Sequence, residues 1–222
     1  MNAHIVLLDL DGTLSDSRGG IEACFRHMLA ELGHDPATAG DLTWAVGPPI
    51  AVSVARLLAQ YDDARVDQGL AIYRAQYSAV AIYDCALYPD VLDMLAALRD
   101  AAHVMYIATS KRRDFAERVI DHLGLRSYIR TVYGAEPAGG LEHKYDLLAY
   151  ILGREGFTPA DAVMVGDRLH DIEAARANSL RSIGAGWGYG GRAELEAAGA
   201  DAIAELPLRV PVVLEAWTGG SV

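Results

Sequence analysis

The sequence predicts an α/β protein: a mainly parallel sheet flanked by helices, with a block of helices inserted after its first strand. Three observations carry this. Ile5-Val6-Leu7-Leu8 is a short unbroken apolar run, the pattern of a strand buried on both faces. From residue 14 to about 85 the apolar positions keep helical spacing with no convincing strand. After that, strand-like and helix-like segments alternate, which gives right-handed crossovers and parallel pairing.

Taken in order, the first strand runs into Asp9-Leu10-Asp11-Gly12-Thr13-Leu14, where the pattern changes. Helical spacing is expected over 19–33, stopping at Gly33, then over about 50–60, 64–80 and 90–101. Gly47-Pro48-Pro49 is a loop, because neither proline can continue a helix interior. Strands are expected at 103–108, near 130–134, at 162–165, at 181–185 and weakly at 201–204. Helices are expected between them at about 112–123, 143–155, 171–178 and 192–198, with a last short helix starting near Pro211. The expected organisation is a Rossmann-like core, residues 1–13 and 86–222, carrying a small helical cap, residues 14–85.

Length and composition restrict the function classes. A chain of 222 residues buries a sizeable core. Its formal charge of -11 argues against a nucleic-acid scaffold or an anionic membrane surface, both of which need clustered Lys and Arg. An anionic substrate then requires locally concentrated cations or a metal. Only two lysines, Lys111 and Lys144, stand against seventeen arginines, so each is a candidate for a place that needs a compact, mobile point charge. Cys24 and Cys85 match no metal or redox spacing and read as reduced thiols of a cytoplasmic protein. The apolar run at the start is too short and too acidic for a signal peptide, and no stretch reaches the roughly eighteen residues of a membrane span.

Three polar features fall at the C-terminal ends of expected strands: Asp9 and Asp11, then Thr109-Ser110-Lys111, then Gly166-Asp167-Arg168-Leu169-His170-Asp171. In an open parallel sheet that edge binds ligands where the strand order reverses. Carboxylates there are costly to desolvate and persist where a cation compensates them or chemistry uses them. Asp171 is also placed to cap a helix beginning at Ile172.

Asp9-x-Asp11-Gly12-Thr13, the strand-terminal Thr109, the isolated Lys144 and Gly166-Asp167-x-x-x-Asp171 together resemble the haloacid dehalogenase-like hydrolase superfamily, in the right order over nearly the whole chain. The resemblance implies Asp9 as a nucleophile that forms an aspartyl-phosphate, splitting one hard hydrolysis into two displacements. It implies Mg²⁺ held by Asp9, the backbone carbonyl of Asp11 and Asp167, with Asp171 as a further ligand or an acceptor behind the ligands. Asp11 would protonate the leaving alkoxide and then take a proton from water. The dehalogenating members lack this aspartate, so its presence favours phosphoryl chemistry. Thr109 and Lys144 would neutralise the equatorial oxygens, with Thr13 and Ser110 on the phosphate side. Lys111 is open between a phosphate contact and a solvated helix start, and His170 is expected to be exposed.

Substrate choice is expected in the cap, from Arg18, Trp44, Tyr73, Arg74 and Tyr77, with Gly47, Pro48 and Pro49 as a rigid loop reaching the site. The tyrosines have a core role as their other reading. Val46-Gly47-Pro48-Pro49, Ala108-Thr109-Ser110-Lys111, Met164 to Arg168 and Trp187-Gly188-Tyr189-Gly190 resemble the phosphoglycolate phosphatase and bacterial 5′-nucleotidase-like group. The expected partner is a small phosphomonoester rather than nucleic acid or membrane, with the protein a monomer or homodimer. Two alternatives stay open: a sugar-phosphate mutase of the same superfamily, and a catalytically inactive phosphate-binding interaction protein.

Overall fold

In the computed structural model the described residues are 5–219, so the expected core's ends, residues 1–4 and 220–222, lie outside them. Strand β1 (Ile5–Leu8) leads into a two-residue strand β2 (Ser15–Asp16). Helices α1 (Arg18–Glu31), α2 (Ile50–Ala59) and α3 (Val66–Ala79) make up the inserted block, and β3 (Ala86–Leu87) closes it. There follow α4 (Val91–Asp100), β4 (Val104–Arg112), α5 (Arg113–His122), β5 (Ile129–Ala135) and α6 (Lys144–Glu155). The chain continues through β6 (Ala162–Gly166), α7 (Leu169–Ala177), β7 (Arg181–Ala185), α8 (Gly191–Ala198), β8 (Ala202–Ala204) and α9 (Arg209–Gly219).

The main sheet has the order β5-β4-β1-β6-β7-β8, and all its pairs are parallel. The chain builds outward from β1 through β4 to β5, then crosses back and builds outward the other way from β6. β1 is therefore where the order reverses, and its C-terminal end opens the crevice in which such sheets bind ligands. The pleat splits the strand's apolar run: Val6 and Leu8 join one buried cluster and Leu7 the opposite one. The first cluster continues without a break from Leu8, Leu10 and Leu14 into Phe25, Met28, Leu57 and Tyr73, so the helical block packs onto the sheet domain through apolar contact. Phe25 is fully buried there, and its truncation to alanine costs about 3–5 kcal/mol.

Three local features differ from the sequence reading. The segment expected to hold no strand begins with β2, which pairs antiparallel with β3, Ser15 opposite Leu87 and Asp16 opposite Ala86. This ribbon joins both crossings between block and core, and two residues per strand are too few to show a period of 2. β4 extends to Arg112, so Thr109, Ser110 and Lys111 lie on the strand's own end. α7 begins at Leu169 rather than near Ile172, which puts Asp171 inside its first turn.

Candidate active site

β1 ends by placing Asp9 against β6, where its backbone N–H donates to the Val165 carbonyl at 2.9 Å. The chain then turns tightly: Leu14 and Ser15 donate to the Leu10 carbonyl at 3.0 Å each, and Gly12 donates to Ser15 at 2.8 Å. This turn sets Asp9 and Asp11 on the same side, both buried and both facing one cavity. Gly12 is required twice over. Its φ is +89°, and a Cβ there would lie 2.2 Å from Asp167 Oδ2. Gly166 and Gly188 make room in the same way, since a Cβ on either would sit 2.2 Å from Asp171 Cγ or Asp167 Cβ.

Asp9, Asp167 and Asp171 each offer a carboxylate oxygen, and these atoms lie within 4.8 Å of one another. Lys144, the first residue of α6, reaches into the cluster: its Nζ donates to Asp9 Oδ1 at 2.7 Å and to the Ala108 carbonyl at 2.7 Å. It also forms an ion pair with Asp171 Oδ1 at 2.8 Å. The other oxygen of Asp171 accepts from the Arg168 backbone N–H at 3.1 Å. Asp167 is held by Thr13 Oγ1 at 3.2 Å and by the Tyr189 backbone N–H at 2.8 Å.

Three buried carboxylates facing one ammonium leave an excess of negative charge. Burial pushes the Asp9 carboxyl up to about 6 against the lowering effect of Lys144, and burial with Asp9 and Asp171 nearby raises Asp167 well above the usual range. Burial works against the Lys144 ammonium, yet the Asp171 and Asp9 carboxylates outweigh it and raise its pKa. The three clustered carboxylates, with more negative charge than Lys144 offsets, fit a divalent cation such as Mg²⁺.

Asp11 stands apart from that cluster's partners. Its Oδ1 accepts from Lys111 Nζ at 2.6 Å and from Ser17 Oγ at 2.6 Å. Lys111 is therefore no solvated helix start: it sits at the end of β4, largely buried, with its ammonium 5.1 Å from the centre of the Tyr77 ring. Thr109 Oγ1 accepts the Lys111 backbone N–H at 3.2 Å, and both Thr109 and Ser110 line the cavity.

The helical block supplies the cavity's roof through Ile21, Val46, Gly47, Pro48, Tyr73 and Arg74. Tyr73 and Tyr77 stack with ring centres 6.0 Å apart, line the cavity and belong to the apolar core. Arg74 lines the cavity with a buried Nε that has no hydrogen bond. The Gly47 loop is fixed from below: Arg168 Nη1 donates to the Val46 carbonyl, and Arg168 Nε donates to Glu194 Oε1 at 2.9 Å.

Some expected residues lie elsewhere. Arg18 does not line the cavity; it is exposed on α1, where its Nε donates to Glu22 at 2.6 Å, because helical spacing turns it outward. Trp44 packs under the Arg56 guanidinium, 4.1 Å from its ring centre. Thr13 is wholly buried behind the cavity against Asp167. His170 is half-buried in a second groove with His143 and Glu173. The sequence reading missed Ser17 and the roles of Arg168, Gly188 and Tyr189. Ser17 reads as an ordinary helix cap, and only the folded chain brings Tyr189 to Asp167.

Comparison with known proteins gives a consistent picture. The sequence model of the family described as haloacid dehalogenase-like hydrolase matches residues 6–185. A 5′-nucleotidase from Pseudomonas aeruginosa is 33% identical over 192 residues, covering 86% of each chain. A tyrosine-protein kinase, PtkA, from Mycobacterium tuberculosis is 38% identical over 188 residues, 84% of this chain but 63% of its own length. Among solved structures, a predicted phosphatase from Clostridium acetobutylicum superposes with a TM-score of 0.88 at 29% identity, over 97% of this chain and 100% of that one.

Proposed function

The chain belongs to the haloacid dehalogenase-like hydrolase family and is a phosphatase, and from that premise we propose that it hydrolyses a small phosphorylated metabolite through an aspartyl-phosphate on Asp9. The supporting observation is Asp9 itself: a carboxylate at the end of β1, held by Lys144 at 2.7 Å, facing a cavity roofed by the inserted block.

In this reading an Asp9 carboxylate oxygen attacks phosphorus as the P–O bond to the leaving group breaks. Asp11 gives that alkoxide its proton. A water then attacks phosphorus, Asp11 takes its proton, the bond to Asp9 breaks and inorganic phosphate leaves. Lys144 keeps Asp9 charged and aimed, while Thr109 and Ser110 sit where backbone and hydroxyl donors meet the equatorial oxygens. Asp9, Asp167 and the Asp11 carbonyl, with Asp171 beside them, would hold Mg²⁺, which when bound neutralises the repulsion between nucleophile and phosphate. Arg74 and the Gly47-Pro48-Pro49 loop would face the leaving group.

Enclosure by the block favours metabolites over phosphoproteins, of the phosphoglycolate or nucleoside 5′-monophosphate kind. A cytoplasmic site of action goes with this reading and with the free thiols Cys24 and Cys85. No helix among the described residues is long and apolar enough to cross a membrane. Turnover of a phosphomonoester panel that includes phosphotyrosine, with Mg²⁺, Ca²⁺ or excess chelator, tests the proposal. Asp9→Asn is expected to retain less than about a hundredth of wild-type turnover with the fold intact, because an amide is no nucleophile. Full activity in chelator, or an Asp9→Asn variant that still turns over, contradicts it.

A further inference from the structure

Ser17 stands immediately before α1, and its type commonly accepts a hydrogen bond from the N–H of the second or third helical residue. Here its side chain makes no such bond. Its hydroxyl instead donates to Asp11 Oδ1 at 2.6 Å. The N–H groups of Ser17 and Arg18 donate across the sequence to the Tyr189 hydroxyl at 3.0 and 3.1 Å, and the Arg18 N–H also donates to Asp16 Oδ1 at 3.2 Å. That hydroxyl donates in turn to Asp16 Oδ1 at 2.9 Å. The Tyr88 side chain also faces that hydroxyl.

Tyr189 is itself fixed to the core. Its backbone N–H donates to Asp167 Oδ2, the neighbouring Gly188 packs on Asp167, and Trp187 Nε1 donates to the Thr13 carbonyl at 2.9 Å. The loop after β7 therefore reaches both the acidic cluster and the first helix of the inserted block.

We propose that Tyr189 is a positioning residue for the reaction: its hydroxyl anchors the Ser17 and Arg18 backbone at the start of α1 and so holds the Ser17 hydroxyl on Asp11. Without the phenol oxygen the Ser17 backbone loses its tie to the loop after β7, and the Ser17 hydroxyl is no longer held at Asp11. The inference rests on the reading of Asp11 as the acid. Its signature is selective, because a leaving group of high pKa needs a proton as it departs and a nitrophenolate does not.

The test compares kcat/KM, which reports the steps through leaving-group departure, on an alkyl phosphate and on 4-nitrophenyl phosphate. Tyr189→Phe and Ser17→Ala are each expected to lose about tenfold on the alkyl ester and less than about twofold on the aryl ester, a fraction of what general acid catalysis supplies. The double variant should be no worse than either single one. Ser17→Ala leaves the Tyr189 anchor on the backbone in place, so it reads the Asp11 end even if Tyr189→Phe folds poorly. Equal losses on both esters, or losses that multiply in the double variant, overturn the proposal. Asp11→Asn separates the two layers. If it is alkyl-selective while Ser17→Ala and Tyr189→Phe are not, the positioning role alone falls. If Asp11→Asn is itself unselective, Asp11 is not the acid and the inference falls with it.

Discussion

At the scale of single residues, the site is defined as much by missing side chains as by charged ones. Gly12, Gly166 and Gly188 each touch the space of an aspartate carboxylate, and Gly12 also needs positive φ. Gly12→Ala therefore combines left-handed strain, about 1–2 kcal/mol, with a collision that displaces Asp167. Its expected outcome is a fall in Mg²⁺ affinity larger than the loss of stability, read by metal titration against thermal unfolding; unchanged metal affinity contradicts this account. The aspartates were legible in the sequence because an apolar run that ends on carboxylates is unusual. Gly12, Gly166 and Gly188 were legible only as motif members, and the role of Gly188 was hidden because its neighbour Asp167 lies in another loop.

At the scale of elements, strands β1, β4, β6 and β7 and most helices follow from apolar periodicity, since one face or both must be buried. The β2–β3 ribbon does not, because four residues carry no period. The loop over the site shows the same division. Its rigidity is written in Gly47, with φ +107°, and in Pro48 and Pro49, whereas its anchor is written 122 residues away in Arg168. Arg168→Ala removes the bonds to Val46 and Glu194 together. The expected result is a KM raised about tenfold with kcat nearly kept, as for lost charge-assisted hydrogen bonds that hold a binding loop. Arg168→Lys should not restore it, because one ammonium does not reproduce a guanidinium fork. Kinetics on several phosphomonoesters decide this, and an unchanged KM would show that the loop is held from elsewhere.

For the molecule as a whole, the acidic cluster trades stability for chemistry. Asp9 in the metal-free fold titrates near 6 rather than 3.8, chiefly because it is buried, and Asp167 is raised for the same reason. A carboxyl raised on folding binds extra protons in the folded state, so stability falls as pH climbs from 3.8 through about 6 and stays lower above. Mg²⁺ bound at this cluster would need it deprotonated and would relieve its repulsion. In chelator, the Tm should drop across that interval, and the rise on adding Mg²⁺ should be larger at about pH 7.5 than at about pH 5. Equal rises at both pH values would remove the cluster as the metal's site.

The scarcity of lysine acquires a practical meaning once both lysines are found in ion pairs at the site, Lys111 on Asp11 and Lys144 on Asp9. A lysine-specific protease has only these two bonds to cut between the chain's ends, one at the end of β4 and one at the start of α6. Neither fits a protease cleft while the fold is closed. Digestion thus becomes a gauge of opening at this one place, with no background from the surface. Cutting should slow in step with added Mg²⁺, while arginine-directed cleavage at the exposed Arg99 or Arg192 hardly changes.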